Sequence, residues 1–309
     1  MPAETAPLET VTATAVSVEP VFGRLITAMV TPFHADGSID LDTARKLACR
    51  LVDEQRNDSL VINGTTGESP TTSDDEKRLL IEVVVDEVGD RAQVIAGVGT
   101  FSTAHTIELA HQATAAGADG LLVVTPYYSR PPQDALVAHF RAVADAAEAP
   151  IMIYDIPHRS GVPVDSATFL AIADHPFIVA VKDAKGQVVA SSRVIAETNL
   201  SYYAGDDAIT LPLLSVGGVG VVGTATHFTG RRMREMIDAF DAGRLDEALA
   251  LHQALLPVMT GVFATQGVML VKAGLAHVGF PVGGLRGPLL PASDEEAARF
   301  AAILDAADL

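Results

Sequence analysis

Residues that could do covalent chemistry stand at the ends of apolar runs. In residues 177–186 the small and β-branched side chains Ile178, Val179, Ala180 and Val181 lead into Lys182. Such a run reads as a strand buried on both faces. Free lysine has a pKa of about 10.4 and is a protonated non-nucleophile at neutral pH, and an apolar wall lowers that value. A desolvated amine can attack a ketone and form a Schiff base. Taken alone, Lys182 could equally be a strand-end lysine reaching solvent by its alkyl stem. Lys185 and Lys272 compete for the amine role, but Lys272 sits in a helical pattern far along the chain.

Other groups suit the same chemistry. Tyr154 ends a second run, where a phenol can act as acid or base. Gly64-Thr65-Thr66-Gly67-Glu68-Ser69 follows a third, with two adjacent hydroxyls and glycines that let amides approach a carboxylate. It lacks the lysine of a phosphate-binding Walker loop. Arg159, in a loop flanked by Pro157 and Gly161, offers a bidentate fork for a carboxylate. Gly218-x-Gly220-x-x-Gly223 has dinucleotide-fingerprint spacing, but its glycines fall within a strand rather than between strand and helix, so a nicotinamide site is not predicted. None of the nine histidines has ligand spacing with another His or Cys, so no metal is predicted.

These residues need a scaffold, and the sequence supplies a repeating one. Apolar runs at residues 25–30, 60–62, 94–98, 121–124, 151–154, 178–181, 202–204 and 220–222 are eight strand candidates. Helical periodicity fills the intervals, as at 104–116, 135–147 and 231–240, and Ser73-Asp74-Asp75-Glu76 has the form of a capping box. Strands alternating with helices eight times predict an α/β fold, a (β/α)8 TIM barrel over residues 21–243, with the active site at the strand C-terminal ends. Strand signals stop near Gly243, and three helical patterns predict a C-terminal helical domain over 244–309. Residues 1–20 have neither a basic start nor an apolar core and read as a disordered tail, not a secretory signal.

Composition excludes several classes. The formal net charge of -18 repels polyanions, so nucleic acid is not an expected partner. No apolar stretch reaches the length of a membrane span. The one cysteine, Cys49, reads as a buried small hydrophobe, and the lack of any disulfide framework fits a cytoplasmic setting.

Taken in order, the stretches Gly64 to Ser69, Thr125-Pro126-Tyr127-Tyr128, Tyr154-Asp155-Ile156-Pro157-His158-Arg159-Ser160-Gly161, Val181-Lys182-Asp183 and Gly205-Asp206-Asp207 resemble the pyruvate-dependent class I aldolase family, across residues 21–309. The resemblance implies that Lys182 forms the Schiff base with pyruvate and that no other cofactor takes part. It implies Tyr154 as the proton-transfer group and Thr65 and Tyr128 as its relay, Tyr128 reaching across a dimer interface. Thr66 would hold the pyruvate carboxylate, Val222 and Gly205 would line the substrate site, and Arg159 would take the carboxylate of aspartate semialdehyde. A homotetramer of tight dimers is implied as well. Sialic acid and keto-deoxy sugar aldolases of this family are the alternative; they share the lysine and tyrosine but handle neutral polyol chains, and Arg159 favours a carboxylated aldehyde. A barrel serving only as a binding module is a further reading, against which Lys182 and Tyr154 argue.

Two departures stand out. Where lysine-inhibited members place polar residues at the tight-dimer interface, this chain has Pro70, Asp74, Lys77, Phe101 and His105, while Ser69 and Tyr127 remain. Weak or absent lysine inhibition is therefore expected. Thr265-Gln266-Gly267-Val268 stands where an Asn-Pro-containing stretch is usual and is expected to alter domain packing while touching no catalytic residue.

Overall fold

The eight apolar runs become eight parallel strands: β1 Leu25–Ala28, β2 Ser59–Ile62, β3 Gln93–Gly97, β4 Gly120–Val124, β5 Ile151–Asp155, β6 Ile178–Asp183, β7 Ser201–Ala204 and β8 Gly220–Gly223. They close in sequence order into a barrel, β8 pairing back onto β1. The structure, a computed structural model, describes residues 18–309, so residues 1–17 of the expected tail lie outside the described residues. Residues 18–20 belong to the folded unit: the Ser201 hydroxyl donates to the Glu19 carbonyl at 2.7 Å.

Alternation along the strands sorts side chains into two layers. On β5, Met152 and Tyr154 enter the barrel interior with Ile26, Val61, Ile95 and Val222, while Ile151 and Ile153 face the helices. Strand β6 breaks the alternation. Its register against β5 shifts after Ile178, so that Met152 faces Ala180 and Tyr154 faces Lys182. Val179 and Ala180 both pack toward the interior. Strict alternation from Ile178 would have sent Lys182 into the helix layer, and the bulge turns it inward.

Around the barrel run α1 Leu41–Cys49, α2 Asp74–Val88, α3 Thr103–Ala115, α4 Gln133–Ala147, the short α5 Pro157–Ser160, α6 Ser166–Ile172, α7 Val188–Glu197, α8 Thr210–Leu214 and α9 Thr226–Asp241. Helix α9 starts five residues before the expected 231, immediately past β8 and Thr224. Cys49 corrects one expectation. It is half-buried rather than buried, its thiol donates to Glu87 at 3.1 Å, and Arg91 donates to its sulfur at 3.4 Å.

Three helices follow, α10 Leu245–Gly261, α11 Gly267–His277 and α12 Asp294–Ala306. Their apolar faces join the barrel's outer core in one continuous cluster. Phe228 of α9 meets Phe300 of α12 edge-on, centroids 5.6 Å apart, and Gly274 of α11 leaves the room they need. Among the described residues no helix is long and apolar enough to cross a membrane.

The capping box forms as expected. Glu76 N–H donates to the Ser73 hydroxyl at 3.2 Å, and Ser73 N–H donates to the Glu76 carboxylate at 2.8 Å. Ser73→Ala removes one acceptor from the first turn of α2, and a loss of about 1 kcal/mol is expected in urea unfolding. An unchanged midpoint and slope would mean that the helix start is held by other contacts.

Candidate active site

Lys182 ends β6 on the interior side, paired in register with Tyr154 on one flank and Tyr203 on the other. Its residue exposure is 5%, and its Nζ lies 4.3 Å from the centroid of the Tyr154 ring. Burial brings its pKa down to about 8; the Asp207 carboxylate opposes that fall and the Arg159 charge adds to it. Burial pushes the Tyr154 phenol the other way, up to about 12, with Arg159 and the Thr65 hydroxyl pulling against it. An amine made less basic thus sits over the ring face of a phenol made more reluctant to ionise.

Asp207 lies behind this pair, fully buried in the loop after β7. Its Oδ2 accepts from Thr224 N–H at 2.9 Å, while Oδ1 has no partner. Burial raises its pKa to about 6, with the amides of Thr224 and Ala225 acting against the rise. Gly223 is required at the end of β8, since a Cβ there would stand 2.4 Å from Asp207 Oδ1.

A cavity of about 430 Å³ opens above Lys182, lined also by Thr65, Thr66, Tyr154, Arg159, Gly205 and Thr224. The Thr66 and Thr224 hydroxyls meet at 3.3 Å. A smaller space of about 260 Å³ shares Thr65, Tyr154 and Arg159 and runs on to Ser69, Pro70 and Tyr127. Lys182 and Arg159 share one mouth with a single carboxylate, Asp206, in a chain of net charge -18, and Arg159 offers an anionic substrate its guanidinium.

Six of the eight expected site residues, Lys182, Tyr154, Thr65, Thr66, Arg159 and Gly205, therefore meet at one cavity. Two do not. Tyr128 is 94% exposed with φ 71°, in the left-handed region, and lines neither space. Val222 is buried inside the barrel opposite Ile26 of β1, and it too lines neither space.

The rival lysines are committed elsewhere. Lys185 pairs with the buried Asp155 at 2.9 Å and donates to the Val164 carbonyl at 3.0 Å. Lys272 pairs with Glu68 at 2.7 Å. Of the three, only Lys182 faces the cavity.

Sequence reasoning overlooked part of the wall. Met259 and Thr260 of α10, with Phe263 and Thr265 just beyond it, close one side of the larger cavity. Thr265 begins the stretch expected to affect packing only, and it stands beside the catalytic candidates. Asp207 was visible as a polar residue near a strand end, but nothing in its spacing marked it as buried. Among the described residues no cluster of three or more His, Cys, Asp or Glu side chains is arranged to hold a metal ion.

Comparison with known proteins gives the family and agrees with the fold. Residues 21–307 match the family described as the dihydrodipicolinate synthetase family. The chain is 62% identical over 290 residues to the 4-hydroxy-tetrahydrodipicolinate synthase of Cutibacterium acnes, covering 94% of this chain and 99% of that protein. The crystal structure of a dihydrodipicolinate synthase from Bacillus anthracis superposes with a TM-score of 0.90 at 40% identity, covering 92% of this chain and 98% of that one. The enzyme from Cyanidioschyzon merolae, solved with lysine bound, gives 0.91 at 39% identity, covering 93% and 99%. The chain belongs to the dihydrodipicolinate synthetase family.

Proposed function

We propose that this chain condenses pyruvate with L-aspartate 4-semialdehyde to give 4-hydroxy-tetrahydrodipicolinate, a lyase step on the path to lysine and diaminopimelate. The observation that carries the reading is the buried amine of Lys182, brought down to about 8 and set 4.3 Å over the Tyr154 ring. The names of relatives up to 62% identical support the same reaction.

In this reading the neutral Lys182 amine attacks the keto carbon of pyruvate, and the carbinolamine loses water to an imine. Loss of a methyl proton gives the enamine, whose terminal carbon attacks the aldehyde carbon. Tyr154, coupled to Thr65, delivers the proton that the new alkoxide needs. The amino group of the semialdehyde portion then displaces Lys182 from the former keto carbon and closes the ring, returning the free enzyme with net loss of one water. Thr66 takes the pyruvate carboxylate through its hydroxyl and amide, and Gly205 leaves the backbone open to substrate. Val222 acts from beneath, filling the barrel interior under the pyruvate. Arg159 takes the semialdehyde carboxylate. A sialic acid or keto-deoxy sugar lyase would have no use for a guanidinium there.

Tyr128, exposed and in a left-handed conformation, completes the relay from a second copy of the chain. Such a backbone is held at a functional position only where surroundings enforce it. A homotetramer built from tight dimers would supply that enforcement. Residues 244–309 act as an appended helical unit whose first helix walls the cavity, and a cytoplasmic setting fits the free Cys49.

The matching positions of the lysine-inhibition site are already engaged in this chain. His105 Nε2 and Asp74 Oδ2 are 2.9 Å apart, Lys77 donates to the Thr72 carbonyl at 2.5 Å, and Phe101 stands edge-on to Tyr127 with centroids 5.6 Å apart. A lysine ammonium would find an aromatic edge and a carboxylate already paired. Titration with lysine is expected to leave the rate unchanged; strong inhibition at cellular concentrations would overturn that expectation.

Borohydride reduction with pyruvate, followed by peptide mapping, should place the adduct on Lys182. Because the neutral amine reacts and its pKa is lowered, the trapping rate should climb with pH up to about 8 and level off above it. Asp207 favours the ammonium, so Asp207→Asn should move that limb to lower pH. An adduct on another lysine, or a limb near the ordinary lysine value, would sink the mechanism. Arg159→Ala should still form the pyruvate adduct while its KM for the semialdehyde rises about tenfold to a hundredfold, the effect of one lost charge-assisted hydrogen bond. An equal rise in KM for pyruvate would contradict the role given to Arg159.

A further inference from the structure

Thr65 and Thr66 are carried by the loop between β2 and α2. Within it, Gly67 N–H donates to the Gly64 carbonyl and Glu68 N–H to the Thr65 carbonyl, each at 3.1 Å. These tight turns fix the shape of the loop. The Thr31 hydroxyl, donating to the Gly67 carbonyl at 2.7 Å, and the Thr66–Thr224 hydroxyl contact tie its near side to neighbouring strand ends, leaving the Glu68 side to be held by something else. Glu68 has φ 56°, a left-handed conformation that a residue with a Cβ keeps only when its surroundings hold it.

What holds it comes from the far end of the chain. The Glu68 carboxylate is buried, with Oε1 2.7 Å from Lys272 Nζ on α11 and Oε2 accepting from Arg286 N–H at 3.0 Å. Lys272 also donates to the Gly284 carbonyl at 2.5 Å, and its Nζ lies 4.3 Å over the Phe33 ring. Neither Glu68 nor Lys272 lines the cavity. Desolvating two charges gives little stability over an apolar pair of the same shape, so a buried pair is better explained by the geometry it imposes. Here it fixes a directed distance between α11 and the loop of the two threonines, which an apolar contact would leave free to slide.

We infer that Glu68 and Lys272 are positioning residues, a buried ion pair through which helix α11 holds the hydroxyls of Thr65 and Thr66 over Lys182. The inference rests on the roles given to those threonines above. Thr65 serves proton transfer and Thr66 the pyruvate carboxylate, so loosening the pair acts on kcat and on the KM for pyruvate together. Arg159 stands on the short helix α5 after β5, outside this linkage, so the KM for the semialdehyde stays.

The test uses the full-length protein with Lys272→Met, Lys272→Arg and Glu68→Gln. Borohydride trapping of the unaltered protein with pyruvate comes first; failure to label Lys182 would overturn the reading of the site and this inference with it. Given that label, Lys272→Met is expected to lose about 10²-fold in kcat/KM for pyruvate, the scale of a small misplacement in a catalytic group, with the semialdehyde KM unchanged. Lys272→Arg, which keeps a cationic donor for Glu68, should recover part of the loss. Glu68→Gln keeps the acceptor for Arg286 and changes little in shape, so it reports the same split even where Lys272→Met does not fold. A lowered melting temperature with normal kcat and normal KM for pyruvate would show that the pair serves stability alone and would overturn the proposal.

Discussion

The molecule is organised around a buried lysine that the fold gives no carboxylate of its own. Removing an ammonium from water is costly, and a chain that does so must pair it, hydrogen-bond it or let it lose its proton. At the end of β6 the third course is brought within reach, because burial lowers the amine to about 8. Tyr154 and Tyr203 flank Lys182 in register, and the nearest influential carboxylate, Asp207, is itself buried and held by backbone amides. A closed barrel suits this, because its strands pair with one another all the way round and leave no open edge beside the amine.

The same fold handles its other buried lysines differently, and the contrast gives Lys182 its meaning. Lys185 stands three residues on and finds Asp155; Lys272 finds Glu68; Lys77 donates to a carbonyl. Each of these amines is fixed to a partner and serves to hold loops in place. Lys182 alone among them is lodged beside empty space large enough for a small keto acid. Reactivity here follows from which amine the fold leaves without a partner, more than from burial as such.

The scaffold was legible because it is local. Each strand announces itself by a short apolar run, most helices by their period, and one capping box by four letters, so the barrel and its closing helices could be read without long-range information. Lys182, Tyr154, Thr65, Thr66, Arg159 and Gly205 were legible because strand ends in a barrel converge on one face. What escaped depends on distance through space. Tyr128 points away from its own cavity, and only a second chain could use it there. Val222 sits one layer too deep, since strand position gives a facing but not a depth. Asp207 and the wall formed by Met259, Thr260 and Phe263 carry no local mark: an aspartate in a loop and side chains at a helix end look alike wherever they end up.

Strand β6 carries a constraint of another kind. Side-chain facing in a strand is a matter of odd and even, and the bulge at Val179 switches that parity three residues before Lys182. Val179 lines neither cavity, and its side chain packs against the barrel interior. What it provides is spacing. The reaction in this barrel is therefore written partly in arithmetic: residue identities around the cavity set how well it works, while the number of residues in one strand decides whether the amine faces the cavity at all. Gain or loss of a single residue there belongs to a different class of change from any substitution, because it exchanges the inside of the barrel for the outside.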